Sequence, residues 1–288
     1  MNTRIIKSVI ALVVMIFAFQ VQAQKKFGGL ALYTVRNDMT TDAKTTLKAV
    51  ADAGYKNIEA AGYADGKFYK MPPLEFKTYV KSLGLKPIST HQSSVTLENA
   101  EQMMKDVKAA GFEYFVVPVP PMGLFKFDQA TRSMGMTGGA ANLAKILDEL
   151  GMKAKKAGLK LLYHNHDFEF KKDADGVVPI EYLLENCNPK YVNFQMDLYW
   201  VVKAGADPVA YFKKYPGRFK IWHVKDMDSQ GRFAPVGTGT IDFARIRANK
   251  KLAGMKYYLV EQDMTFDNQT ALEAIKISHE GLKKFGFE

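Results

Sequence analysis

Three short runs in this chain each place a residue able to bind a divalent metal at the end of a β-prone stretch. They are Asp197-Leu-Tyr-Trp200, Ile221-Trp-His223-Val-Lys-Asp226 and Leu259-Val-Glu261-Gln-Asp263. They recur after intervals long enough to hold a helix. In a barrel of alternating strands and helices the strand ends converge on one face, so Asp197, His223 and Glu261 would meet in space. A mixed carboxylate and imidazole set suits Mn, Zn, Fe or Mg more than a thiolate set would.

The elements that must position these residues are legible as a repeated grammar. Gly54-Tyr-Lys-Asn-Ile-Glu59, Gly84-Leu-Lys-Pro-Ile-Ser-Thr-His91, Gly111 to Pro118, Gly158 to His164, Gly217 to His223 and Gly254 to Glu261 all follow a helical pattern. In each, Gly supplies the left-handed C-terminal cap and a short β-prone run follows. Gly29 to Val35 supplies a first strand, and Tyr191 to Asp197 a sixth, entered through Asn188-Pro189. The spacing predicts strands near 29–35, 57–60, 86–91, 114–118, 160–164, 192–197, 219–223 and 257–261. Eight such β-then-α units predict a single closed (β/α)8 TIM barrel over residues 24–288. An open doubly wound sheet would usually carry a Gly-rich phosphate loop after its first strand, and Leu32-Tyr-Thr-Val-Arg36 is not one.

Residues at or just past the strand ends are Arg36, Glu59, His91, Pro118, His164, Asp197, His223 and Glu261. Seven of them are polar or ionisable, with three His and three acids among them. Strand five runs into Tyr163-His-Asn-His-Asp-Phe-Glu169, where His164 and His166 would face the same side if the strand continued. Trp200, just past Asp197, is a candidate ring-face contact for a bound substrate. Glu59, His91 and Lys225 are further candidate substrate contacts. His279 in the last helix reads as a surface residue. The stretch from Val119 to Gly138 is longer than a normal connection and shows little periodicity, so a lid over the barrel mouth is expected there.

Composition narrows the setting. Arg4 and Lys7 precede an uncharged run from Ser8 to Phe19, which leads into Val21-Gln-Ala23, the three-part layout of a cleavable signal peptide over residues 1–23. The apolar run is about 12 residues, short of the ~20 that span a bilayer. A periplasmic or secreted protein is expected, with no stable membrane insertion after cleavage. Losing Arg4 and Lys7 lowers the formal charge from +10 to +8. The excess Lys is spread through helices without the aromatic clustering of a nucleic-acid surface, so no nucleic-acid partner is expected. Cys187 has no partner for an internal disulfide and reads as a buried apolar filler. The sequence leaves homo-oligomerisation open.

Together these runs resemble the sugar phosphate isomerase/epimerase superfamily, the xylose isomerase-like TIM barrels that also include endonuclease IV. The resemblance covers nearly all of residues 27–286. It is carried most specifically by Asp197-Leu-Tyr-Trp, His223-Val-Lys-Asp, Val236-Gly-Thr-Gly-Thr-Ile-Asp-Phe243 and Val260-Glu261. The Gly-Thr-Gly segment follows a polar loop rather than a strand, so it reads as a tight turn with Asp242 capping the next helix. The resemblance implies a divalent metal held by Asp197, His223 and Glu261. Its fourth ligand, usually Glu at the end of strand five, falls here on His164, with His166 and Glu169 as alternatives.

The resemblance further implies a small carbohydrate substrate and removal of a proton next to a carbonyl, through an enediolate. Glu261, His166 and Glu169 are the candidate acid and base groups. A sugar isomerase or epimerase is the first expectation. A 3-keto-glycoside lyase or hydratase using the same proton abstraction is the second, and a non-catalytic carbohydrate-binding protein the third. Export argues against a phosphorylated substrate, since sugar phosphates are cytoplasmic.

Overall fold

The computed structural model describes residues 26–173 and 175–288. The signal-peptide expectation for residues 1–23 lies outside the described residues. Eight parallel strands close into a barrel: β1 (Phe27–Ala31), β2 (Tyr55–Ala60), β3 (Lys86–His91), β4 (Tyr114–Val117), β5 (Lys160–His164), β6 (Val192–Asp197), β7 (Phe219–Val224) and β8 (Tyr257–Val260). Each pairs with its sequence neighbour, and β8 pairs with β1. Neighbours in sequence are thus neighbours around the barrel, the order expected.

Alternation along the strands builds the interior and then the site. Ile88, Tyr114, Val116, Leu162, Ile221 and Leu259 form a compact apolar cluster separate from the main core. Two residues beyond Leu162, Ile221 and Leu259 come His164, His223 and Glu261. Period-two alternation therefore carries these three side chains to the same interior, one layer nearer the C-terminal mouth. The outer helices pack amphipathic faces on the barrel. Thr46, Leu47, Val50 and Ala51 are the buried face of Ala43–Asp52, whose first turn is capped by the Asp42 carboxylate on the N–H groups of Lys44 and Thr45. Ala271–Lys284 begins with a reciprocal capping box between Thr270 and Glu273. Among the described residues, no helix is long and apolar enough to cross a membrane.

Three expectations need correction. The first strand ends at Ala31, and Leu32–Val35 forms a single tight helical turn instead. Three of its four residues are buried, and a short buried run looks the same in either conformation. His279 is fully buried, with its ring 4.1 Å from that of Phe27 and 4.9 Å from that of Tyr55. It lies four residues after Ile275 and three before Leu282, on the inner face of its helix. Gly54 leaves room for it: at φ +98, a Cβ there would stand 2.6 Å from the imidazole. The 119–138 segment contains an antiparallel hairpin, Phe125–Asp128 with Ser133–Met136. Phe125-Lys-Phe-Asp128 does alternate, a signal obscured by the surrounding Pro, Gly and Met.

Candidate metal centre at the barrel mouth

Register brings the donor residues together. Asp197 on β6 lies opposite His223 on β7, Gln195 lies opposite His164 on β5, and Glu261 follows Val260, which pairs with Val224. The ladder shifts between Phe194 and Gln195 and again between Ile58 and Glu59. Such irregularities re-aim side chains, and here each immediately precedes a residue of the buried network.

His164, Asp197, His223 and Glu261 are all buried, and each offers a ligand atom within 4.8 Å of the others. His164 is thus the fifth-strand member of the group. His166 and Glu169 are not. The Asp197 carboxylate divides its work: Oδ1 accepts from the Trp200 backbone N–H and caps the following helical turn, while Oδ2 faces the donor group with the Lys225 ammonium 2.9 Å away. Asn165 clamps the Asp197 backbone, accepting from its N–H and donating to its carbonyl.

Beneath the group lies a hydrogen-bond hub at Gln195. Its amide N–H donates to Glu59 Oε2 at 2.6 Å, which leaves Oε1 to accept from His91 Nε2 at 2.8 Å and His164 Nδ1 at 3.0 Å. His164 must therefore carry its proton on Nδ1, and its Nε2 lone pair faces Asp197 Oδ2, 4.0 Å away. Burial, followed by repulsion from His223, holds the His164 pKa well below the usual imidazole range. A neutral ring oriented by an amide is the state a ligand needs.

Glu59 was expected to contact substrate. Both its oxygens are instead engaged, Oε1 by His223 Nε2 at 2.7 Å and His91 at 3.0 Å, and Oε2 by Ser89 and Gln195 at 2.6 Å. It is 1% exposed, so it orients the imidazoles and does not reach the cavity. Burial opposes its charge, but His91 and His223 hold it ionised. His223 Nδ1 meets Glu261 Oε2 at 2.8 Å. Burial works against protonating His223, yet Glu261 and Glu59 raise its pKa to about 10.

Lys225 completes the electrostatics. Its buried ammonium lies 2.9 Å from Asp197 Oδ2, 2.8 Å from Glu261 Oε2 and 2.9 Å from Asp263 Oδ1. Burial would discharge it, but these carboxylates hold it protonated, well above the usual lysine range. Burial pushes Asp197 up to about 6 against the pull of Lys225. Burial likewise opposes ionisation of Glu261, but His223 and Lys225 keep it well below the usual carboxylate range.

These residues fit a divalent cation. Two carboxylates and two imidazoles converge, Asp197 turns one carboxylate oxygen toward the group, and one imidazole lone pair is aimed inward. His223 would bind through Nδ1 while Nε2–H stays on Glu59. The carboxylates of Glu59, Asp197, Glu261 and Asp263 outnumber Lys225 and His223 as local charges, which favours further positive charge.

Above the donors opens a cavity of about 430 Å³, whose wall includes His91, His164, His166, Trp200, Lys225 and Glu261. That size suits a small ligand. His166 packs against Trp200, and burial lowers its pKa to about 3, so it stays neutral at ordinary pH. Glu169 stands apart. Its carboxyl accepts from the Tyr163 hydroxyl and the His166 backbone N–H, each at 2.8 Å, and does not line the cavity. Burial raises it to about 8, and its place is to hold the turn that carries His166.

Sequence reasoning missed Gln195 and Asp263. Each lies two residues from a proposed ligand, so period-two alternation could have found them. It also missed Asp226, whose carboxylate accepts from the N–H groups of Met227, Gly237, Gly239 and Ile241. The Gly-Thr-Gly turn thus wraps an internal anion. A Cβ at Gly239 would lie 2.4 Å from that carboxylate, and Asp242 caps the next helix as expected.

A family model for the xylose isomerase-like TIM barrel matches residues 47–276. A sugar phosphate isomerase/epimerase structure from Parabacteroides distasonis ATCC 8503 superposes with a TM-score of 0.76 at 27% identity, over 93% of this chain and 96% of that one. A second of the same description and source gives a TM-score of 0.77 at 25% identity, over 91% and 99%. Inosose dehydratase of Clostridium tetani (strain Massachusetts / E88) is 29% identical over 143 residues, 42% of this chain and 47% of the relative. The chain spans about half the length of the curated relatives it matches.

Proposed function

The chain belongs to the xylose isomerase-like TIM barrel family, and from that premise we propose that it removes a proton from the carbon next to a carbonyl in a sugar-like substrate. The observation that carries this is the buried group of His164, Asp197, His223 and Glu261 under a cavity open to the mouth. A divalent cation held there would supply Lewis-acid stabilisation of the charge that develops on the carbonyl oxygen. Mn, Zn, Mg and Fe all suit the donors.

The chain's own residues would do the rest. Glu261, ionised and on the cavity wall, accepts the proton. Trp200 offers a flat apolar face to the sugar ring, with His166 packed beside it and His91 also on the cavity wall. The favoured outcome is β-elimination, the lyase or dehydratase outcome. As Glu261 takes the proton, the C–H electrons form a carbon–carbon double bond and the C–O bond on the next carbon breaks. The departing oxygen keeps that bond's electrons and takes a proton from Lys225 Nζ. Glu261, 2.8 Å from Lys225, then passes its proton back. The asymmetry of the site supports this outcome: a carboxylate and an ammonium stand together at 2.8 Å, while burial holds His164 and His166 neutral.

Isomerisation or epimerisation is the second reading. It is favoured by the two neighbours described as sugar phosphate isomerase/epimerases. It would use the same first step, with Glu261 handing the proton it took back to the neighbouring carbon. In either case residues 1–23 would direct export, and the mature protein would begin at Gln24, which mass measurement of the secreted or periplasmic form would check.

The test is NMR in D2O with metal-loaded protein and a panel of keto-sugars. Deuterium entering next to the carbonyl with loss of the β-substituent supports elimination; deuterium entry with a rearranged sugar supports the second reading. Glu261→Gln should slow exchange by about 10²–10⁴-fold. No exchange with any divalent metal, and ligand affinity unaltered by Glu261→Gln, would instead indicate a carbohydrate-binding protein.

A further inference from the structure

Beside the small cavity lies a larger groove of about 970 Å³, and the two share the walls formed by Met134, Trp200, Asp263 and Met264. The proposed proton abstraction does not need this second space. Its lining includes six aromatic side chains: Phe127, Phe168, Tyr199, Trp200, Phe233 and Phe266. Phe127 and Met264 are among the most exposed large apolar side chains of the described residues, at 52% and 39%. Apolar side chains left open along one continuous groove mark a binding surface, whereas scattered single ones do not.

The junction between the two spaces is polar. Trp200 there carries a buried indole N–H with no hydrogen-bond partner. Asp263, which holds the Lys225 ammonium, borders both spaces. An oxygen leaving the smaller cavity toward Lys225 would therefore carry its substituent into the groove. Phe127 comes from the hairpin inserted between β4 and the helix Gly139–Lys156, while Phe233 and Phe266 come from the loops after β7 and β8. The groove thus draws its aromatic lining from the segments after five strands, β4 to β8.

The geometry points to a substrate of two rings joined through oxygen, with the carbonyl-bearing sugar over the metal group and the second ring, an aglycone or another sugar, on the aromatic groove. This rests on the function proposed above and names its substrate class. Ring faces are the shared chemistry: planar aromatic and flat sugar faces both bury apolar surface against Phe and Trp. Polar side chains at the rim, Lys172 and Lys203 among them, remain available to hydroxyl groups.

The experiment measures binding of the metal-loaded full chain to matched probes by calorimetry. For gluco, galacto and xylo sugars, the methyl glycoside is compared with the phenyl glycoside and with a disaccharide of the same non-reducing unit. At least one two-ring probe should bind tenfold or more tightly than its methyl counterpart, and Phe127→Ala should remove most of that preference. Phe127→Trp should restore it. Phe127 is exposed, so both variants should keep the wild-type melting temperature and metal affinity. Preference for the phenyl probe alone identifies an aromatic aglycone, and preference for the disaccharide a second sugar; each supports the groove.

A panel in which no two-ring probe outbinds its methyl glycoside, or in which Phe127→Ala leaves the preference intact, overturns the inference. The two proposals fail separately. Deuterium exchange without ring preference leaves the catalytic reading standing. Ring preference without exchange on any keto-sugar removes that reading and leaves a two-ring binding site.

Discussion

The barrel has charged residues at both ends, but the two ends use them in opposite ways. At the C-terminal mouth, carboxylates, imidazoles and one ammonium are buried and share hydrogen bonds. At the other end a cavity of about 550 Å³ is rimmed by Lys155, Lys160, Lys190, Lys220 and Lys256, with Glu113, Tyr114 and Tyr257 between them. There the ammonium groups stand over ring faces, as Lys160 does 5.0 Å above Tyr114, or form open pairs, as Lys86 does with Glu113 at 2.7 Å. The lysine-rich end leaves its groups wholly or partly in water. The mixed-charge end desolvates its groups and makes their protonation states depend on one another. Only the latter can hold a cation and move a proton.

The sharpest break of this comparison is to remove a donor from the buried end. Asp197→Asn should weaken divalent-metal binding by well over the ~10–100-fold typical of losing an outer-shell partner. Calorimetric titration reads it directly, and near-wild-type affinity would remove Asp197 from the metal group.

Next in size is Lys225→Met. The ammonium now neutralises Asp197 and Glu261, so its loss leaves buried carboxylates uncompensated, at a cost of about 3–5 kcal/mol in the metal-free protein. A divalent ion would relieve the same repulsion. The gap in melting temperature between metal-free and metal-loaded protein should therefore widen relative to wild type. An unchanged gap would mean that Lys225 and the cation do not share these oxygens.

Proton linkage gives a third measure. His223 holds a proton with a pKa of about 10 and must release it from Nδ1 to become a ligand. Below that pH its protonated form dominates, so metal affinity should fall by about tenfold for each unit of decreasing pH from this group alone. Calorimetry in buffers of different ionisation enthalpy at pH 7.5 should show about one proton released per ion bound.

These contrasts also show what the sequence could carry. The barrel was legible because Gly-capped helices and short β-prone runs repeat through the chain. Asp197, His223 and Glu261 were legible because each closes such a run. Position at a strand end did not reveal depth: Glu59 sits as near its strand end as the donors do, yet faces inward to Gln195, and Glu169, five residues past the end of β5, turns to Tyr163. Nor did it reveal Gln195, whose role follows from a register shift that no single strand displays. His279 was misread because its polarity outweighed its place on a helix face. Contacts between distant elements decided each of these cases.

Gln195→Leu tests that hidden layer, and a smaller effect is expected. It removes the acceptor that fixes the His164 tautomer and one donor to Glu59, so metal affinity should fall by about 10–100-fold with the ligands all present. Loss of affinity without loss of fold by circular dichroism would separate orientation from packing. An unaltered affinity would show that His164 presents its lone pair without help.

The smallest effect belongs to the open end. Lys160→Ala removes one charge from a set of like charges, and its ammonium has only a ring face beneath it. Burial and the neighbours Lys256, Arg218 and Lys160 hold the Lys220 pKa below its usual value, so the substitution should let that pKa rise. Lysine side-chain NMR would follow the shift. Stability should change by no more than about 0.5 kcal/mol, as for most surface substitutions. Metal affinity and proton exchange should stay at wild-type values, because this rim and the donor layer lie at opposite ends of the barrel, with the apolar layer of Leu162, Ile221 and Leu259 between them. A loss of metal binding in Lys160→Ala would mean that charge at one end is felt at the other, and the division between a working mouth and a solvated one would have to be abandoned.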